Sequence, residues 1–154
     1  MDMMIANLLY IIPSVTSQSL FAEGSYSETE LKVYLKKAIK IISIIIIPAI
    51  IVTSLFGNYI LLAFGEKYSE EGFILLRFLS ILGIFISINA IGSVILNIKH
   101  KIKLIILVNF IGASIVLSLS IMFIHNNLLE IGVGWMLGQG IISVIYLLFI
   151  KKLL

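Results

Sequence analysis

The sequence predicts an all-α integral membrane protein: a bundle of five transmembrane helices in a single transmembrane domain over residues 1–154. Three observations predict it. Hydrophobic residues make up 60% of the chain and charged residues only 12%, where an ordinary soluble domain carries about a quarter. The mean hydropathy is +1.17, more apolar surface than a chain this size hides from water, since small domains bury only part of what they expose when unfolded. Five long stretches, residues 3–22, 41–65, 78–98, 104–124 and 131–150, hold no charged residue. Intrinsic disorder needs low hydrophobicity and high net charge and is excluded.

Each stretch is near or above the roughly 20 residues a helix needs to cross the hydrocarbon core. Lipid offers no partner to backbone N–H and C=O groups, so spans are helices or closed barrels. Barrel strands alternate polar with apolar residues, and runs such as Ile44-Ile45-Ile46-Ile47 do not. The expected spans are about 3–22, 41–65, 76–98, 104–124 and 131–150. The only early charge is Asp2, where a secretory signal carries Lys or Arg, so the first apolar run reads as a retained span.

Between the first two spans, Ser27 and Glu30 have the spacing of a capping box. Leu31, Tyr34, Leu35 and Ala38 then recur at helical spacing, with Lys32, Lys36, Lys37 and Lys40 off that stripe. Residues 27–38 are therefore either a short amphipathic helix on the inner leaflet, lysines toward anionic headgroups, or an extension of the second span. Pro13 and Pro48 interrupt the first two spans. A proline removes a helical hydrogen bond, and membrane helices tolerate such breaks. The polar run Ser14, Thr16, Ser17, Gln18 and Ser19 directs the inner half of the first span toward protein or water.

The links alternate in charge. Lysines fill the first link, Lys99, Lys101 and Lys103 flank His100 in the third, and Lys151 and Lys152 close the chain; the second link is mixed and the fourth, 125–130, has neither Lys nor Arg. Short loops rich in Lys and Arg stay cytoplasmic. The expected topology is a multi-pass protein of the cell membrane, N-terminus outside and C-terminus cytoplasmic. An outside N-terminus without a signal suits a chain preceded by an odd number of further spans. Trp135, just inside the outer end of the last span, has the place of an interfacial anchor.

Small and polar residues fall in stripes. Ser80, Gly83, Ser87, Ala90 and Asn97 share a face of the third span; Asn109, Gly112, Ala113, Val116 and Ser120 one of the fourth; Gly132, Met136, Gln139, Ser143 and Tyr146 one of the fifth, beside Gly134 and Gly138. Such faces either pack helices closely, with Gly83, Gly112, Gly134 and Gly138 at the contacts, or line a polar substrate path with Ser80, Ser87, Asn97, Asn109, Gln139 and Ser143. Arg77 sits at the hydrocarbon edge. Its planar fork suits an anionic group on a substrate; snorkelling to the headgroups or pairing with Glu66, Glu70 or Glu71 are the other readings.

No chemistry of bond-making is legible. His100 and His125 fall in opposite links and cannot share a metal, the chain has no cysteine, and no nucleophile–base set or P-loop occurs. No catalytic residue, metal or cofactor is expected, and the chain does not read as an enzyme. A formal charge of +3, gathered at span ends, does not suit nucleic acid.

The order of motifs resembles a known family. Pro13 and Leu20-Phe21-Ala22-Glu23-Gly24-Ser25 mark the first span, and Pro48 precedes Leu62-Ala63-Phe64-Gly65-Glu66-Lys67-Tyr68. Leu75-Leu76-Arg77-Phe78-Leu79, Leu96-Asn97-Ile98-Lys99-His100-Lys101 and Ile131-Gly132-Val133-Gly134-Trp135 follow. This is similar to the C-terminal part of polysaccharide biosynthesis/export membrane proteins, the O-antigen flippase-like branch of the multidrug/oligosaccharidyl-lipid/polysaccharide exporter superfamily. The resemblance implies two six-helix lobes in a V, alternating access, and lipid-linked oligosaccharide as cargo. It makes this chain the last five spans of the second lobe. The partners it implies are the lipid bilayer, the lipid-linked oligosaccharide, and the preceding helices or another membrane subunit. The alternative is a truncated or structural membrane protein with no transport of its own.

Overall fold

A computed structural model describes residues 2–63, 65–123 and 128–153. They form five α-helices in the order α1 (Asp2–Tyr26), α2 (Leu31–Leu62), α3 (Glu66–Ile98), α4 (Ile102–Phe123) and α5 (Leu128–Leu153), with a 3₁₀ turn at Glu28–Glu30 and no strand among the described residues. Four of the helices contain segments long and apolar enough to cross a membrane: Leu31–Leu62, Gly72–Ile98, Ile102–Met122 and Gly132–Leu153. The fold is an all-α membrane bundle. The first helix departs from the expected set of five. It forms, but Ser14, Thr16, Ser17, Gln18, Ser19 and Glu23 dilute its described part below the apolarity of the other four.

Helix α3 is the centre, packed against all four others, and α4 leans chiefly on α5. Contacts fix the directions. Tyr10 reaches Leu79 and Gly24 faces Ile98, so α1 runs parallel to α3. Gly132 meets Leu75, so α5 runs the same way, while Gly112 on α4 faces Ile142 and Gly138 on α5 faces Val116, so α4 is antiparallel to α5. Consecutive helices therefore alternate.

Three buried clusters hold the bundle. Leu20, Leu31, Ala38, Ile42, Ile46, Ile91, Ile95 and Ile98 join α1, α2 and α3 at one end. Ala6, Leu75, Leu79 and Leu82, with Tyr10 and Trp135 beside them, join α1, α3 and α5 toward the other. Leu96, Val108, Ile142 and Tyr146 join α3, α4 and α5. The rest of the apolar surface points outward: Ile44, Ile47, Leu55, Ile106, Phe110, Leu117, Ile121 and Leu148 are each more than half exposed. A soluble monomer rarely shows contiguous apolar area on that scale; hydrocarbon covers it without cost.

The turns explain how these ends meet. Gly65, between α2 and α3, takes φ 129, a region open to glycine and strained for other residues. Helix α3 ends in a Schellman motif: Lys101 N–H bonds Leu96 O at 2.8 Å and His100 N–H bonds Asn97 O at 2.9 Å. His100 fills the left-handed position with φ 55, and the Lys101 carbonyl then accepts the Leu104 N–H at 2.9 Å, opening α4.

Two local expectations change. No capping box forms at Ser27. Its hydroxyl pairs with Thr29 Oγ1 at 3.0 Å, the Glu30 carboxylate accepts the Tyr34 hydroxyl at 2.6 Å, and α2 starts at Leu31 without a side-chain cap. The 3₁₀ turn directs both capping groups to other partners. Nor is 27–38 a separate surface helix: α2 is continuous from Leu31 to Leu62. Its stripe of Leu31 and Ala38 is buried, with Tyr34 and Leu35 packed beside them. Protein, not headgroups, takes that stripe. Lys32, Lys36, Lys37 and Lys40 stay exposed, and Lys37 pairs with Glu23 at 3.2 Å, tying α2 to the end of α1. The helices continue through Pro13 and Pro48.

The lysines of the first link, Lys99, Lys101, Lys103, Lys151 and Lys152 lie at one end of the bundle, where Gly24, Leu31 and Ile98 meet and Ile150 packs nearby. The opposite end carries the end of α2, Gly65 and the start of α5.

Candidate functional site

The site is built on the polar interior positions of α3 and α5. Asn89 Nδ2 donates to Gln139 Oε1 at 2.7 Å. The buried Ser143 hydroxyl has three acceptors in reach: Asn89 Oδ1 at 2.9 Å, Gln139 O at 2.9 Å and Phe85 O at 3.1 Å. One turn further along α5, the Tyr146 hydroxyl donates to Asn109 Oδ1 on α4 at 3.2 Å. Asn89 lies ten residues before Lys99, about 15 Å along the helix and near the middle of a core about 30 Å thick.

Local packing explains why these groups meet. Gly92, one turn after Asn89, lets the Tyr146 ring lie against α3, where an added Cβ would stand 2.6 Å from the ring. Gly112 and Gly138 bring α4 onto α5 in the same way, with added Cβ atoms 2.5 Å from Ile142 and 2.6 Å from Val116. Helices α3 and α4 touch each other little. The space between them is a cleft of about 320 Å³ lined by Asn89, Ser93, Asn109, Gly112, Ala113, Val116, Gln139, Ile142 and Tyr146. Every lining residue is uncharged. Asn109 and Ala113 are exposed at its rim.

Such a cleft offers amides and hydroxyls, each able to donate and accept. It suits a neutral ligand rich in hydroxyl or amide groups, and its lining holds no His, Asp, Glu, Lys or Arg. Among the described residues no cluster of three or more His, Asp or Glu occurs to hold a metal.

Of the residues singled out from the sequence, Asn109, Gln139 and Ser143 come together here. Ser80 and Ser87 do not join them: both are buried and bond back to their own helix, Ser80 to Leu76 O at 2.8 Å and Ser87 to Gly83 O at 2.6 Å. Gly83 faces Tyr10 of α1, so that stripe of α3 packs elsewhere. Asn97 is exposed near the end of α3, at the lysine-rich end. Gly134 is buried, and Gly112 and Gly138 stand where α4 meets α5. Sequence reading passed over Asn89, Ser93 and Gly92. Their signal was an amide ten residues inside a span, with Gly and Ser three and four residues on, which share its face.

Arg77 is in a different place. Its Nε and Nη2 both donate to Ser54 O of α2, at 3.0 and 2.8 Å, and its guanidinium lies over the Phe73 ring, 4.3 Å from the centroid. It is exposed and clasps α2 to α3. The side chains of Glu66, Glu70 and Glu71, its alternative partners, lie outside the described residues.

A second, apolar groove of about 290 Å³ runs between α2, α3 and α5, past Leu35, Ile46, Ile88, Ile91 and Leu147. Fold and cleft together define a multi-pass helical membrane protein with an uncharged cleft, partly lined by amides and hydroxyls, at mid-depth. No family model matches the chain, nor does any curated protein or solved structure.

Proposed function

We propose that this chain is the C-terminal portion of a flippase for lipid-linked oligosaccharide, acting by alternating access in cell-surface polysaccharide biosynthesis. The observation that carries the reading is the uncharged cleft of Asn89, Ser93, Asn109 and Gln139 at the depth a sugar must pass. Sugar hydroxyls both donate and accept, as these side chains do. Polar groups held inside a membrane bundle are costly and mark substrate paths. The order of sequence motifs supports the same reading. On it, the lysine-rich end faces the cytoplasm of the cell membrane, by the positive-inside rule, which puts the N-terminus outside and the C-terminus inside. Arg77, toward the opposite surface, is a cation for a phosphate or acidic sugar once released from Ser54.

A second reading is a structural membrane protein without transport of its own. The cleft's amides and hydroxyls already pair with one another, Asn89 with Gln139 and Tyr146 with Asn109, and this favours it.

The test replaces the chromosomal copy with Asn89→Leu/Gln139→Leu. Transport predicts that lipid-linked oligosaccharide accumulates in the inner leaflet while surface polysaccharide falls, with the variant present at normal level. Unchanged surface polysaccharide at normal protein level supports the structural reading.

A further inference from the structure

Helix α1 lies along α3 from Ala6, packed beside Leu75, to Gly24, against Ile98. It therefore occupies the same depth as the apolar span Gly72–Ile98. One of its seams is buried in the bundle: Ala6, Pro13, Ser17, Leu20 and Gly24. Shifted by one residue, about 100° around the helix, runs a second seam: Asn7, Ile11, Ser14, Gln18, Phe21 and Ser25, all six exposed. Its steps alternate four and three residues, the spacing by which two helices interlock at a shallow left-handed crossing. From Asn7 to Ser25 it covers about 27 Å, close to the whole hydrocarbon core. Four of the six side chains are polar. Lipid offers no partner to the Asn7 and Gln18 amides, and such groups face protein or water inside membranes.

We propose that this seam is the contact for a second copy of the chain, α1 against α1′ about a two-fold axis along the membrane normal. Two features select a second copy. The polar members are an amide, a hydroxyl, an amide and a hydroxyl, none charged, and each type both donates and accepts; each finds its complement in itself. Copies inserted with one orientation present parallel helices, so a two-fold axis sets Asn7 beside Asn7′, Ser14 beside Ser14′ and Gln18 beside Gln18′, the self-matching an isologous contact requires. Interhelical hydrogen bonds of this kind drive association in lipid, where the hydrophobic effect does not. The inference needs that α1 stands in the membrane beside α3 and that any helices preceding it leave this seam open.

The chain has no cysteine, so single cysteines report directly. In native membranes, Ile11→Cys, Ser14→Cys, Gln18→Cys and Phe21→Cys are each oxidised with copper phenanthroline. A disulfide dimer from a single-cysteine chain forms only between like positions. All four positions are exposed, so these changes leave the fold in place. The dimer band is expected at these positions and at least fivefold weaker at Leu8→Cys, Val15→Cys and Ser19→Cys, which are also exposed but lie on the next face. Equal cross-linking on both faces, or none on the seam, overturns the proposal. So does ready labelling of Ser14→Cys and Gln18→Cys by a membrane-impermeant maleimide, which would make the seam the wall of a water-filled path. Cross-linking to a chain of another mass overturns it as well.

Discussion

Gly92→Ala and Gly24→Ala are the same change with the same nominal crowding, and the structure gives them different outcomes. A Cβ at Gly92 would stand 2.6 Å from Cδ1 and Cγ of Tyr146 and 2.7 Å from its Cβ. That ring is 1% exposed and held by its hydroxyl on Asn109. Tyr146 Cβ moves only with its backbone, so α5 has to withdraw from α3 and loosen the Asn89–Gln139–Ser143 network. Overpacking of this kind costs about 1–3 kcal/mol, against about 1 kcal/mol gained from replacing glycine by alanine within a helix. The net expectation is a loss of up to about 2 kcal/mol. At Gly24 the new Cβ would meet Ile98 Cδ1 at 2.7 Å and Leu31 Cδ1 at 3.0 Å, the far ends of flexible side chains that yield with a small shift. There the helix term dominates, and the change is neutral or stabilising by up to about 1 kcal/mol. Reversible unfolding in bicelles, followed by steric trapping, measures both. If Gly92→Ala proves as stable as Gly24→Ala, the ring of Tyr146 does not set the α3–α5 spacing and the reasoning fails.

His100→Gly relieves a left-handed residue at the end of α3 and should stabilise the bundle by about 1 kcal/mol in the same unfolding assay. Asn89→Ala and Gln139→Ala should each destabilise, and a double-mutant cycle should return a coupling of about 0.6 kcal/mol, the average for hydrogen bonds between membrane helices; zero coupling would remove the pair from the account. Arg77→Lys keeps the charge but gives up the two-pronged grip on Ser54 O. It should lower stability as Arg77→Ala does, whereas equal stability of Arg77→Lys and the unmodified chain would show that charge alone is at work there.

Much of the architecture was legible because lipid simplifies the problem. Apolar runs without charge had to be helices, and alternating lysine links had to turn the chain back and forth; the structure gathers those lysines at one end. Helix ends were less legible. The Ser27–Glu30 spacing fits a capping box, yet Tyr34 takes the Glu30 carboxylate, a competition that spacing does not reveal. Residues 31–38 showed an apolar stripe, but whether headgroups or protein covered it depended on α1 and α3, which pattern alone does not place. The same limit governs the site. Ser80 and Ser87 share a stripe with Gly83, but serine in a helix can satisfy itself on its own backbone, and both do. Asn89 has no such short route, so it reaches another helix. The fate of Arg77 turned on one carbonyl of α2, Ser54, which no linear pattern marks.

The central claim is a bundle threaded through the membrane with its lysine-rich end in the cytoplasm. Fusing alkaline phosphatase and a fluorescent protein in turn after Ser27, Gly65, His100 and Asn127 and at the C-terminus tests it most directly. The account predicts active phosphatase after Gly65 and Asn127 and fluorescence at the other three. Phosphatase activity after His100, or Gly65 and His100 on one side of the membrane, would contradict it.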